Sequence, residues 1–222
     1  MMTVKPTGHY QLRGDGLYIE FDRLFHAPIE DVWYSLTNRN AMKAWIGTYT
    51  GSPSTGAVRF RMNAEGDYAE DEGWQAVSIL FCDAPHHFVA DGSSPEHMRV
   101  FANLTERGGL TALTFGQRLY PGTDVAAWGC GWDYYLDRLI ASRSGSPMPA
   151  WESYFPAFTR YYRELAVPVR PRTPTESIDV VDPDELGETG VHGERGEPGD
   201  GPEAGFDPAH DADLGWPAAP PR

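Results

Sequence analysis

The sequence predicts an α+β domain in which a curved antiparallel β-sheet wraps around one long C-terminal α-helix. Three observations support this fold class: one strand followed by two short helices, a run of closely spaced strands, and a long amphipathic helix after them. Consecutive strands with short connections pair antiparallel. Such a sheet must bury one face, and the long helix is the element with a matching apolar face.

The first strand and the two short helices follow each other directly. Leu17–Phe25 alternates apolar and polar side chains, which predicts a half-buried strand. Pro28 and the two acidic residues that follow Ile29 are typical of a helix N-terminus. Asn38 then interrupts this helix and can cap a second short one. The stretch 47–56 is rich in Gly, Ser, Thr and Pro, and we interpret it as a loop.

A run of strands comes next, ending in a tight hairpin. The predicted strands lie at about 57–62, 74–82, 86–91, 98–105 and 110–119. Gly108-Gly109 joins the last two, because glycine adopts the positive φ of a hairpin turn. Alternation puts Gln117 on the same face of its strand as Phe115.

The long helix is predicted over Asp124–Ser142, and its apolar positions recur every three or four residues. They are Val125, Trp128, Gly129, Trp132, Tyr135, Leu136, Leu139 and Ile140. Asp133, Asp137 and Arg138 fall largely between these positions, so we expect them to stay solvated. A last short helix is predicted from about Pro156.

Composition divides the chain into a lead-in (1–16), a domain (17–166) and a tail (167–222). The tail holds 13 of the 32 acidic residues, 4 of the 18 basic ones and 10 of the 19 prolines. Its few apolar residues cannot offset the entropy of ordering it, which predicts disorder. The aromatic residues before the tail are enough for one sizeable core.

The same composition argues against several classes of protein. Neither part has a basic patch, so nucleic acid is not an expected partner. No segment approaches the roughly 20 apolar residues of a membrane span, and Met1–Pro6 lacks the apolar run of a signal peptide. Cys82 and Cys130 are too few for a disulfide framework. We expect a cytoplasmic protein, and the sequence leaves its oligomeric state open.

Two motifs resemble the SRPBCC superfamily of helix-grip proteins, and within it the branch named after activators of the 90-kDa heat-shock chaperone ATPase. The matching positions are Ala27, Pro28, Val32, Trp33, Leu36 and Thr37 in the opening, Trp45 after it, and Gly131, Trp132, Leu136 and Leu139 in the long helix. The likeness covers roughly residues 17–166. It implies a helix-grip fold, which hosts lipid carriers, polyketide cyclases and aromatases, and chaperone regulators, so fold alone does not give the function.

No set of residues meets the needs of a standard active site, which favours binding over catalysis. His86-His87 is the sole histidine cluster, and neighbours on a strand point to opposite faces, so we expect no metal or other cofactor. Neither cysteine has a specific base in the sequence to activate it.

The first hypothesis is therefore a binding protein that holds a small hydrophobic or aromatic ligand between the sheet and the long helix. A buried arginine needs a carboxylate partner, so an inward-facing Arg23 on the first strand is either a ligand anchor or a sign that the strand register is misread. The candidate contact residues are Trp45, Ala102, Gln117, Trp128, Trp132 and Tyr135. A polyketide cyclase or aromatase that uses the same cavity, and a chaperone-regulating protein-interaction module, are the alternatives.

Overall fold

Eight strands and four α-helices make up the part of the chain that the computed structural model describes, residues 4–62, 73–93, 98–165 and 167. The strands are β1 (His9–Arg13), β2 (Gly16–Phe25), β3 (Thr48–Ser52), β4 (Ala57–Arg61), β5 (Gln75–Asp83), β6 (His87–Gly92), β7 (Met98–Arg107) and β8 (Leu110–Arg118). The helices are α1 (Ile29–Thr37), α2 (Arg39–Met42), α3 (Val125–Ser144) and α4 (Thr159–Glu164).

The strands form one antiparallel sheet in the order β1-β2-β8-β7-β6-β5-β4-β3. The predicted α+β helix-grip fold is confirmed, with the five strands of the predicted run at the expected places. The β7–β8 hairpin turns through Gly108 and Gly109 with φ of 62° and 77°. Ala102 pairs with Phe115 and Val100 with Gln117, so these side chains share one face.

Two strands lie where no strand was predicted. His9–Arg13, inside the stretch interpreted as a loose lead-in, forms β1 and pairs with β2 through a two-residue turn. The loop expected over 47–56 is wrong, because Thr48–Ser52 forms the edge strand β3 and pairs with β4. Both are edge strands of five residues, and such strands carry weak hydrophobic patterns. The predicted disordered tail, from residue 168 onward, lies outside the described residues.

The ends of α1, α2 and α3 carry residues that suit a helix terminus. Pro28 precedes α1, whose first turn carries Glu30 and Asp31. Asn38 caps α2, because its side-chain oxygen accepts hydrogen bonds from the backbone N–H groups of the second and third residues after it. Asp124 caps α3 in the same way, and Gly145 ends that helix in the left-handed conformation with a φ of 67°.

The long helix α3 is buried on more sides than its apolar stripe predicts. Asp133 is 1% exposed and Arg138 is 7% exposed, so the expectation that they stay solvated is wrong. Asp133 is covered by α4, whose Tyr162 bonds it, and Arg138 by the segment after α2, where it bonds the carbonyl of Trp45. At Gly129 the approach is so close that a Cβ atom would lie 2.5 Å from the ring of Tyr162.

Candidate ligand cavity

A cavity of about 730 Å³ lies between the first two helices and the inner face of the sheet. Its walls come from α1, α2 and the segment after α2 on one side, and from β3 to β8 on the other. The long helix contributes one side chain, Trp132. The lining residues are Glu30, Trp33, Tyr34, Leu36, Thr37, Asn38, Met42, Trp45, Ile46, Tyr49, Pro53, Val58, Phe60, Val77, Ile79, Cys82, Ala84, Pro85, Phe88, Ala90, Met98, Val100, Phe115 and Trp132.

Aromatic side chains make up one third of the residues in these walls. Eight of the 24 lining residues are Trp, Tyr or Phe, and Glu30 is the one charged residue among them. Trp33 packs edge-to-face against Phe88, with ring centroids 5.9 Å apart, and so joins α1 to β6. Phe115 and Trp132 lie deeper, with centroids 4.3 Å apart. Apolar walls with few polar groups are typical of small-molecule sites.

Of the six residues named from the sequence, Trp45 and Trp132 line the cavity. The other four lie near it but not on its surface. Ala102 is fully buried in the sheet. Trp128 stacks on Trp132, with centroids 6.5 Å apart, and Tyr135 packs edge-to-face on Tyr134. Which of them contact a ligand stays a prediction.

Gln117 acts on the cavity through a neighbour. Its side-chain oxygen accepts a hydrogen bond from the indole N–H of Trp132, and the amide is 3% exposed. Alternation predicts the correct face for Gln117, since it shares that face with the cavity residue Val100. This hydrogen bond holds the indole of Trp132, a cavity residue, and a contact of Gln117 with a ligand stays a prediction.

Trp45 is fixed from behind by two buried hydrogen bonds. Its indole N–H donates to the carbonyl of Ser35 at 2.9 Å, which ties the ring to α1. Its own carbonyl accepts from Arg138 Nε of α3 at 2.8 Å. Arg138 also donates to the hydroxyl of Tyr134 at 3.1 Å. The long helix therefore positions this cavity wall, although Arg138 itself does not line the cavity.

Arg23 faces inward and is paired with carboxylates inside the protein. Its NH2 atom lies 3.0 Å from Oδ1 of Asp133, and its Nε donates to Oδ1 of Asp137 at 3.0 Å. Its NH1 atom donates to the hydroxyl of Thr7 at 2.7 Å. With its partners supplied by the chain, Arg23 has no anchor role in the cavity, which it does not line.

The two carboxylates that hold Arg23 also hold the ends of the domain. Asp133 accepts from the backbone N–H of Thr7 at 3.0 Å and from the hydroxyl of Tyr162. Asp137 accepts from the hydroxyl of Tyr154 at 2.8 Å. Burial, then the neighbouring carboxylates, raise the pKa of both tyrosines well above the ordinary value. We name this group of Thr7, Arg23, Asp133, Asp137, Tyr154 and Tyr162 the buried clasp.

Most of the cavity lining was missed from the sequence, although a signal was present. Val58 and Val77 are cross-strand partners, as are Ile79 and Ala90, and all four line the cavity. Each occupies the inward position of an alternating strand. Pairing β4, β5 and β6 in sequence order would therefore have predicted this wall.

His87 lies outside the cavity, and the thiol of Cys130 is unreactive. His87 sits on the opposite face of the sheet, where it bonds Asn103 and stacks on Phe101. Burial, followed by the nearby Asp133 and Asp124, raises the pKa of Cys130 to about 12, so its thiol is protonated at neutral pH. Within the described ranges, no three His, Cys, Asp or Glu side chains converge as metal ligands would.

No helix of the described residues combines the length and the apolar character that crossing a membrane requires.

The sequence model of one family matches residues 26–142, more than half of the chain. That family is described as Activator of Hsp90 ATPase homolog 1-like protein. The match begins just after β2 and runs through most of α3, so it includes both motifs noted in the sequence. Among curated proteins, no sequence matches significantly.

Solved structures support the fold at low sequence identity. CalU16 from Micromonospora echinospora is 20% identical with a TM-score of 0.57, and the match covers 72% of this chain and 96% of that one. Protein EF2215 from Enterococcus faecalis is 17% identical with a TM-score of 0.54, covering 71% and 88%. The BPP1335 protein from Bordetella parapertussis is 19% identical with a TM-score of 0.54, covering 75% and 97%. At these identities the likeness shows a shared fold.

Proposed function

This chain belongs to the Activator of Hsp90 ATPase homolog 1-like family, and we propose that it binds a small hydrophobic or aromatic ligand in the cavity between α1, α2 and the sheet. The observation that carries the proposal is the cavity itself, about 730 Å³ with walls that are mainly apolar and aromatic. Ligand sites in proteins have volumes of about 300–1,000 Å³ and this kind of lining.

The polar atoms of the walls support binding over catalysis. Two of the three indole N–H groups in the wall already have acceptors, Ser35 for Trp45 and Gln117 for Trp132. An acid–base enzyme of the cyclase type needs positioned polar groups within hydrogen-bond reach of the reacting atoms. With these donors occupied, the two rings offer mainly apolar aromatic surface, which suits recognition by shape and apolar contact.

A cytoplasmic location is part of the proposal. Cys82 and Cys130 are both free thiols, and one of them lies in the cavity wall. Reducing compartments keep such thiols unpaired.

The experiment is a titration with the neutral dye Nile red, read by its fluorescence, on the wild type and a pair of strand variants. Val77→Trp places an indole in the cavity wall, where we expect it to weaken dye binding at least about tenfold, a loss of about 1.4 kcal/mol. Ser78→Trp adds the same side chain to the next residue, which is exposed on the opposite face.

The matched control should bind the dye as the wild type does. Equal binding by Val77→Trp and the wild type would place the dye outside the cavity and contradict the proposal. Native mass spectrometry of the freshly purified protein completes the test, because an added mass that disappears on denaturation identifies a bound molecule and its chemical class.

A further inference from the structure

The charge that lines the cavity is negative. Glu30 is the one charged side chain among the lining residues, and it stands exposed on the first turn of α1. Within the described residues, no lysine, arginine or histidine lines the cavity. Arg138 donates to the carbonyl of Trp45 at 2.8 Å from behind the wall. The guanidinium of Arg39 lies 4.9 Å from the ring centre of Tyr49, and neither arginine lines the cavity. A ligand with a negative charge would therefore enter without a counter-ion in the wall.

The helix terminus beside Glu30 offers little compensation to an anion. The N-terminus of a helix favours negative charge because its first N–H groups are unsatisfied. At α1 that position is taken, since the N–H of Ile29 donates to Oε2 of Glu106 at 2.9 Å. The N–H groups of Asp31 and Val32 bond the carbonyl of Pro28.

The aromatic walls add a preference of the same sign. The face of an aromatic ring carries partial negative charge, so it attracts cations and repels anions. Trp45 and Trp132 have their N–H edges turned to internal acceptors. The whole chain has a formal charge of −14, which raises the local concentration of cations around it.

We infer that the cavity selects flat aromatic molecules that are neutral or positively charged and discriminates against anions, with Glu30 at the rim as the group that favours a cation. This inference rests on the proposed binding function and narrows its ligand class. Fatty acids and other carboxylates are thereby excluded as preferred ligands, and aromatic amines and uncharged polycyclic molecules fit.

The test uses three probes that share one ring and differ in charge: naphthalene-1-methylammonium, naphthalene-1-methanol and naphthalene-1-carboxylate. Each displaces Nile red from the full-length protein at pH 7 and low salt. We expect the ammonium to bind about tenfold more tightly than the carboxylate, with the alcohol between them. Glu30→Gln should weaken the ammonium at least about threefold and leave the alcohol unchanged. Glu152→Gln removes the same charge from an exposed residue outside the cavity and should change nothing.

The outcomes separate this inference from the proposed function. A carboxylate that binds as tightly as the ammonium overturns the selectivity, and an ammonium preference that persists in Glu30→Gln overturns the role of Glu30. In either case Nile red binding and its loss in Val77→Trp still stand. If Nile red does not bind, or binds Val77→Trp equally well, the cavity assignment fails and the charge preference fails with it.

Discussion

The two ends of the sheet are packed in different ways. Against β2, α3 and α4 close a solid core in which the inward side chains of Ile19 and Phe21 are fully buried. Over β4 and β5, α1 and α2 leave the cavity, and the inward side chains of Val77 and Ile79 stay half-buried. One sheet therefore carries a filled half, which supplies stability, and an open half, which leaves space that a ligand could occupy.

The buried clasp explains how the filled half supports the open one. Its Arg23–Asp133 pair is almost fully removed from water, with side-chain exposures of 7% and 1%, whereas Asp137 is 29% exposed. Buried ion pairs contribute specificity of position more than net stability, because desolvation opposes the Coulombic gain. Here the clasp fixes the N-terminal segment, β2, α3 and α4 in one arrangement, so α3 can hold Trp45 and Trp132 at the boundary.

Breaking the clasp should give the largest effect. Asp133→Asn removes the charge that faces Arg23 and leaves a buried guanidinium with weaker compensation. We expect a loss of about 3–5 kcal/mol in the free energy of unfolding, measured by urea denaturation. The matched control is Glu164→Gln, since Glu164 pairs with Arg160 at 3.0 Å on the surface. A surface pair of this kind contributes about 0–1 kcal/mol.

Dye binding by Asp133→Asn tests whether the clasp affects stability without affecting the cavity. At a temperature where Asp133→Asn is folded, Nile red affinity should stay within about threefold of the wild type, because Asp133 does not line the cavity. A destabilisation no larger than that of Glu164→Gln would show that the filled half does not depend on the clasp.

The boundary between the halves is the second place to test. Gln117→Leu leaves the buried indole N–H of Trp132 without its acceptor. We expect a loss of about 1–3 kcal/mol in unfolding free energy and a several-fold weaker affinity for Nile red, because the ring also forms a cavity wall. Unlike Asp133→Asn, this change should affect stability and binding together.

A double-mutant cycle separates the hydrogen bond from other effects of that substitution. In a Trp132→Phe background there is no N–H to leave unpaired, so Gln117→Leu should cost much less. An equal cost in both backgrounds would mean that Gln117 stabilises the protein through contacts other than the indole.

The sequence predicts the fold well because its signals are local. Strand alternation, the Gly108-Gly109 turn and the cap at Asn38 each depend on a few neighbouring residues, and each is confirmed. The burial of Asp133 and Arg138 could not be read in this way. Asp133 is covered by α4 and the N-terminal segment, and Arg138 contacts the carbonyl of Trp45. These segments meet α3 from other parts of the chain.

The site was predicted less completely for a related reason. Trp45 and Trp132 carry the family motifs and line the cavity, whereas Trp128 and Tyr135 share the helix face of Trp132 and yet lie behind the wall. Helical periodicity gives a face but not the depth of each side chain along it. The cavity is set by how far α1 stands from β5, and no local pattern reports that distance.

A close contact inside the filled half gives a smaller effect. Gly129→Ala would place a Cβ atom 2.5 Å from the ring of Tyr162, whose hydroxyl is held by Asp133 and by the N–H of Gly8. Overpacking of this kind costs about 1–3 kcal/mol, and alanine regains about 1 kcal/mol of helix propensity, so we expect a net loss of about 1 kcal/mol in urea denaturation. In a Tyr162→Ala background the same change should be neutral or stabilising, and a persistent cost there would assign the strain to another neighbour.

The smallest expected effect is a change in the alkaline pH dependence of stability. Burial raises the pKa of Cys130 from 9.0 to about 12, with Asp133 and Asp124 adding to the shift. Between these values the unfolded chain releases the thiol proton and the folded chain keeps it, so the unfolded state binds fewer protons and stability falls as pH rises, by at most about 1.4 kcal/mol per pH unit for one group. The stability that Cys130 contributes is thus fully present below pH 9 and is lost toward pH 12.

Cys130→Ala should therefore flatten the fall in urea midpoint between pH 9 and 10, below the range in which the raised pKa values of Tyr154 and Tyr162 begin to matter. Cys82→Ala removes an exposed thiol from the open half and should keep the wild-type slope. If the two variants have the same slope, Cys130 is hydrated in the folded protein, and the half of the sheet that we describe as filled admits water at α3.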